Sequence, residues 1–243
     1  MKANLYEFLA GNEYPGRGIC IGKTPGGNTS VIAYFIMGRS VNSRNRVFDP
    51  IDGGIRTMAA DPSKMTDPHL IIYNPVLTLG RTTIVTNGDQ TNTIYDFMSR
   101  NQFQGYNFEA SLATRTFEDD KPNWTPRISG VVDMKTGGYK LNILKSCDGN
   151  DKSVQRFTFD YSEPVAGEGH FISTYKCNGT PIPSFAGEPI HLAIDEEDPD
   201  LYVAKLWKAL NEDNKVSLFV RAIDLATQTC KDVIINKYKA VEE

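Results

Sequence analysis

The chain has 243 residues, 40% of them hydrophobic and 23% charged, which is enough apolar mass for one large domain with a full core or for two small ones. Its formal net charge of -4 and pI near 5.5 weigh against a nucleic-acid or membrane-surface partner. Lys2 and a short mixed stretch broken by Glu7 build neither a secretory signal nor a spanning helix, so a soluble cytoplasmic protein is expected.

Two apolar runs, residues 17–23 and 29–37, flank Thr-Pro-Gly-Gly-Asn and predict a hairpin. The second run empties into residues 38–46, where Arg39, Arg44 and Arg46 are interleaved with Ser40, Ser43 and asparagines. Guanidinium forks bind phosphate bidentately and hydroxyls add further donors, so this loop is a candidate anion anchor; the competing reading is a solvated basic loop. Residues 47–67, rich in Asp, Pro and Gly, read as short strands and loop. Residues 69–74 read as an apolar strand that Pro75 ends, leaving Tyr73 and Asn74 at its margin.

Residues 77–86 read as one strand that stops at Asn87-Gly88, after which Ile94, Phe97 and Met98 recur at helical spacing over about 89–101. Asp89 or Thr91 is a candidate cap, and Gly88 would supply positive φ and a close backbone approach to a ligand. Free N–H groups at such a helix start attract anions, although an ordinary strand–helix junction has the same sequence. A second helix begins at Asn107, with Phe108 and Leu112 as its buried stripe. Glu109 falls in its first turn, where a carboxylate complementing the helix dipole needs no other reason. Strands follow at 128–133 and 139–144 around Lys-Thr-Gly-Gly, then at 154–161 and 170–176. Residues 201–210 are helical in spacing, and 216–225 with 230–238 form a last hairpin. Hairpins around two consecutive central helices predict a single α+β domain over 1–243, with stacked antiparallel sheets and helices outside.

Cys20, Cys147, Cys177 and Cys230 lack paired metal spacing and are expected as free buried thiols. His69, His170 and His191 are isolated in sequence, so no metal site is expected.

Taken in order, several polar segments at strand ends carry a family resemblance. They are the Arg/Ser/Asn run at 38–46, Tyr73-Asn74, Thr86-Asn87-Gly88-Asp89, Phe108-Glu109-Ala110-Ser111-Leu112, Asn123-Trp124-Thr125-Pro126-Arg127-Ile128 and Ile172-Ser173-Thr174-Tyr175. Over roughly residues 15–180 the chain resembles the archaeal-type IMP cyclohydrolases. That resemblance implies a four-layer αββα sandwich similar to the N-terminal-nucleophile hydrolase fold. The chain begins Met1-Lys2, without an N-terminal Thr, Ser or Cys, which disfavours an amide hydrolase. Residues 188–243 would then be a helix–hairpin extension that compact relatives lack.

The implied reaction is closure of 5-formamidoimidazole-4-carboxamide ribotide to inosine monophosphate with loss of water, the final step of purine biosynthesis. Acid/base and electrostatic groups suffice for it and no cofactor is needed. On this basis Glu109 is the candidate base and Tyr73 the candidate acid, and Asn74 and Arg127 would polarise the reacting amide oxygens. Arg39, Ser40, Ser43, Arg44, Arg46, Asn87, Gly88, Asp89 and Thr125 would bind the ribotide. The expected partners are that small-molecule ribotide, other copies of the chain in a homo-oligomer, and a formyltransferase in functional pairing, with neither nucleic acid nor membrane. The competing function is a non-catalytic purine-nucleotide-binding module on the same scaffold.

Overall fold

The computed structural model describes residues 2–65, 68, 72–100 and 107–240. Two antiparallel sheets form its centre. The first contains β1 (Arg17–Lys23), β2 (Thr29–Met37), β10 (Glu168–Ser173), β11 (Ile190–Ala193), β12 (Lys215–Asp224) and β13 (Cys230–Asn236), in the spatial order β11-β10-β1-β2-β12-β13. The second contains β3 (Val47–Ile51), β4 (Gly54–Met58), β5 (Val76–Leu79), β6 (Thr82–Thr86), β7 (Arg127–Asp133), β8 (Tyr139–Ser146) and β9 (Val154–Tyr161), ordered as they occur in the chain.

Period-two alternation divides the side chains between layers. Along β2, Ile32, Tyr34 and Ile36 face the other sheet, where Ile55, Val85, Ile128, Val132 and Leu141 meet them. The alternate residues Val31, Ala33, Phe35 and Met37 face outward onto Leu5 and Leu9 of α1 (Leu5–Ala10) and Tyr202, Val203 and Leu206 of α5 (Pro199–Ala209). The second sheet is covered in the same way. Ile84, Val131 and Leu144 pack on Ile94 and Met98 of α3 (Gln90–Arg100) and on Phe108, at the start of the single-turn helix α4 (Phe108–Ser111). Helices therefore lie against both outer faces of the sheet pair. Polar ties cross between the sheets: Arg221 Nη1 donates to Thr78 Oγ1 at 2.8 Å, Tyr139 Oη lies 2.7 Å from His170 Nδ1, and the Asn236 side chain donates to Phe48 O at 2.9 Å and accepts from Phe48 N at 2.8 Å.

Several expectations need correction. Residues 77–86 are not one strand, because Gly80 at φ 56° turns the chain between β5 and β6, which pair with each other. Of the strand expected at 69–74, residues 69–71 lie outside the described residues, and 72–74 are irregular. The N-terminal stretch, left without regular structure by the sequence, is α1, closed by a reciprocal Asn4–Glu7 capping box. The C-terminal helix and hairpin are present, but β12 lies between β2 and β13, paired with β2 from Met37 to Thr29, so this segment is built into the first sheet. Of the cysteines only Cys20 is buried; the other three are exposed thiols.

Candidate active site

A cleft of about 250 Å³ opens where the first sheet's strand ends meet two loops. Gly16, at φ 78°, turns the chain into β1, and a Cβ there would lie 2.3 Å from Thr174 Oγ1 and 2.5 Å from the Tyr175 ring. That glycine lets Arg17 begin the strand hard against Tyr175. Beyond β2, the one-turn helix α2 (Val41–Arg44) is closed by a reciprocal capping box between Ser40 and Ser43, and it delivers Arg46 to the cleft floor. The loop after α4 carries Glu118, Asp120 and Asn123, and the chain leaving β10 carries Tyr175.

The floor is charged and buried. Arg17, Arg46 and Glu118 are 9%, 3% and 7% exposed, and Arg17 Nε with Arg46 Nε and Nη1 have no hydrogen-bond partner. Buried guanidinium N–H groups without acceptors are costly unless an anion or a carbonyl oxygen completes them. Burial lowers the pKa of Arg46, and the neighbouring Arg17 charge lowers it further. Burial works against the Arg17 charge too, but Glu118 and the Tyr175, Tyr14 and Tyr73 phenols hold it on. Burial also pushes the Glu118 carboxyl above the usual carboxylate range, against the pull of Arg17, Arg127 and Arg46. A carboxyl raised in this way, beside two fixed cations, is placed to accept and return a proton while the cations hold a developing oxyanion.

The residues expected from the sequence divide into four groups. Arg39, Ser40, Ser43 and Arg46 line the cleft. Arg39 is also a structural tie, donating to Asn178 Oδ1 at 2.6 Å and Gly179 O at 3.0 Å and lying 5.1 Å from the Tyr14 ring centre. Tyr73 and Thr125 stand one layer behind the lining. Tyr73 Oη pairs with Tyr34 Oη at 2.9 Å, and Thr125 Oγ1 bonds Asp120 and Tyr175.

The Asn87–Gly88–Asp89 turn and Arg127 form a network of their own. Asn87 Oδ1 accepts from Ile128 N and Gln90 Nε2, and its amide donates to Pro126 O, so the side chain splices two chain segments and is 1% exposed. Gly88 does not adopt positive φ. What it supplies is space, since a Cβ would lie 2.7 Å from both Arg127 Nη1 and Gln90 Oε1. Asp89 pairs with Arg127 at 2.7 Å and also with Arg115, which holds its carboxyl below the usual range despite partial burial. Its carboxylate therefore serves those arginines and not the helix start, and the Thr91 hydroxyl is engaged by Thr86 and Gly88 O.

Arg44, Asn74 and Glu109 are not brought to the cleft. Arg44 turns to the opposite side of α2, donating to Gly38 O at 2.9 Å and Asn214 Oδ1 at 3.3 Å. Asn74 reaches Asn92 at 3.4 Å. Glu109 is exposed on the outer helical layer and paired with Lys140 at 2.9 Å, beside Asp160. Its first-turn position and this ion pair account for it fully.

Sequence reasoning missed Arg17, Glu118, Asp120 and Tyr14, while Asn42 stood within the 38–46 run but was given no role of its own. Glu118 lies in Thr-Phe-Glu-Asp-Asp-Lys, which reads as a solvated charged loop, and nothing local marks it as buried. A signal for Arg17 did exist: an arginine opens a strand that is otherwise apolar or small up to Lys23. Tyr175 stood within a quoted segment but was given no role.

Comparison with known proteins finds a matching family. The model of the IMP cyclohydrolase-like protein family matches residues 14–228. Among similar proteins, IMP cyclohydrolase of Methanococcus aeolicus is 27% identical over 189 residues, 77% of this chain and 84% of that protein. IMP cyclohydrolase of Methanococcus maripaludis strain C7 is 31% identical over 169 residues, 69% of this chain and 77% of its own length. That of Methanopyrus kandleri is 28% identical over 190 residues, covering 76% and 84%.

Proposed function

The chain belongs to the IMP cyclohydrolase-like family, and from that premise we propose that it closes 5-formamidoimidazole-4-carboxamide ribotide to inosine monophosphate with release of water. The observation that carries the proposal is the cleft floor, where two buried guanidiniums with unmatched N–H groups adjoin a buried carboxyl.

In the reaction the carboxamide nitrogen forms a bond to the formyl carbon, the formyl oxygen becomes a tetrahedral hydroxyl, and that hydroxyl leaves as water. The substrate supplies both arms, so the protein's work is to hold them facing one another and to move protons. Glu118 takes one carboxamide N–H proton and delivers it to the formyl oxygen; in the second step it takes the formamido N–H proton as the ring C=N forms and gives it to the hydroxyl, which leaves as water. Arg17 and Arg46 stabilise the oxygen while it carries charge. Tyr73, hydrogen-bonded to Tyr34 behind the floor, remains the candidate acid of this proposal. Arg39, Ser40 and Ser43 at the rim bind the ribotide's polar groups. Arg127 acts at a distance, through its charge on Glu118.

The layer order of helix, sheet, sheet and helix corresponds in this proposal to that of the N-terminal-nucleophile hydrolases. A place in purine biosynthesis, a cytoplasmic location, a homo-oligomer and functional pairing with a formyltransferase belong to the same proposal. Among the described residues no helix is long and apolar enough to cross a membrane.

The deciding experiment incubates purified protein with the open-chain ribotide and follows purine absorbance. Ring closure accelerated over the uncatalysed rate is expected. Binding of inosine monophosphate without any acceleration would overturn the enzymatic proposal in favour of a nucleotide-binding module.

A further inference from the structure

We propose that Tyr175 is a specificity-determining acceptor in the cleft, its proton turned away from the ligand by a positioning pair, Asp120 and Thr125. The inference rests on the proposed function for the ligand's identity, and on hydrogen-bond direction for the rest.

Asp120 accepts twice from one residue, Oδ1 from Thr125 N at 2.6 Å and Oδ2 from the Thr125 hydroxyl. A carboxylate only accepts, so the single Thr125 hydroxyl proton is committed to Asp120. Thr125 Oγ1 also lies 2.6 Å from Tyr175 Oη, and with its proton already placed it can serve that contact only as an acceptor. Tyr175 is therefore the donor. Burial pushes its pKa up to about 12, so the phenol retains that proton at neutral pH. What Tyr175 Oη has left is its lone pairs. Tyr175 lines the cleft with Asp120 and is stacked at 5.8 Å on Tyr14, which fixes the ring. Its free valence in the cleft is one acceptor beside the Arg17 guanidinium, and it selects a ligand that presents an N–H or O–H there. Inosine monophosphate can present either the base N–H or a ribose hydroxyl.

The geometry makes a directional prediction. In Asp120→Asn the amide oxygen must stay with the Thr125 backbone N–H, so the amide NH2 faces Thr125 Oγ1. The chain of donors then reverses, and Tyr175 would receive the Thr125 proton and point its own into the cleft, donor against donor. Titration calorimetry with inosine monophosphate should show Tyr175→Phe binding about fivefold to tenfold more weakly, and Asp120→Asn more than about tenfold more weakly. In the Tyr175→Phe background Asp120→Asn should change affinity less than about twofold, because the group whose direction it reverses has gone. Thr125→Val supplies the same cycle if Asp120→Asn does not accumulate. Repeating the titrations with the 2′,3′-dideoxyribotide separates the two sources: a Tyr175→Phe penalty that persists assigns the donor to the base N–H, and one that vanishes assigns it to a sugar hydroxyl.

Additive losses in the double variant, or unchanged affinity in Tyr175→Phe, would overturn the inference while leaving the cyclohydrolase proposal standing. Failure of the unaltered protein to bind inosine monophosphate would instead overturn that proposal.

Discussion

Replacing Asn87 with Ala tests whether the sharpest local motif in the sequence is a ligand site or a structural splice. The side chain makes three hydrogen bonds: its amide to Pro126 O at 3.0 Å, and its oxygen from Ile128 N at 2.9 Å and Gln90 Nε2 at 2.9 Å. Gln90 keeps a second partner, Ile128 O at 3.2 Å. The loss therefore falls on two backbone groups, the Pro126 carbonyl and the Ile128 N–H, in a region closed to water. Each unsatisfied group costs about 1–3 kcal/mol, so Asn87→Ala should destabilise by about 2–6 kcal/mol. For a chain of this length that lowers Tm by about 4–24 °C. Asn87→Asp keeps the accepting oxygen but sets a second acceptor against Pro126 O and buries a carboxylate, so it should cost at least as much. The assay is thermal and urea unfolding, with inosine monophosphate affinity measured on the folded fraction. If Asn87→Ala melted within about 2 °C of the parent yet bound the nucleotide much more weakly, Asn87 would be a ligand contact and the splice argument would be wrong.

Glu118→Gln should lower kcat by about 100-fold or more with the fold intact, whereas Glu109→Gln, on the far helical layer, should leave kcat within about threefold; kinetics on the two variants that came out reversed would move the base back to Glu109. Arg46→Met replaces a buried cation lacking acceptors for two of its nitrogens with an apolar chain of similar length. It should leave Tm unchanged or raise it while weakening nucleotide binding about 100-fold, which paired melting and calorimetry would check. His170 supplies the pH dependence: burial, and then the neighbouring His191, lower its pKa to about 4 from about 6.5. Its folded value is the lower one, so the unfolded chain takes up the proton first, and stability is lost as pH falls from about 6.5 to 4, then levels off. Discounted for partial solvent screening, the loss is about 1–2 kcal/mol, and urea midpoints at pH 7 and 4.5 should converge by that amount between the parent and His170→Asn.

Much of the architecture was legible in local sequence. The strands at 17–23, 29–37 and 154–161 lie where alternation and turn residues put them, and α3 begins within a residue of its expected start. Those features depend on side-chain period and on Gly, Pro and Asn, all of which act over a few neighbours. The same locality explains the failures. One apolar run was read across Gly80, and the charged segment around Glu118 was given no role, although Glu118 is packed out of water between arginines from distant segments.

The sequence by itself determined the α+β class, the concentration of Arg, Ser and Asn at 38–46 and the likeness to a family. Which of its polar residues face one another was decided by tertiary structure alone. Arg44 and Arg46 are two residues apart, yet one tethers the back of α2 and the other floors the cleft. Arg17 and Glu118, a hundred residues apart, share a single desolvated space. Burial sets the energy of a charge, and burial is a property of the packed chain as a whole, so no window along the sequence contains it.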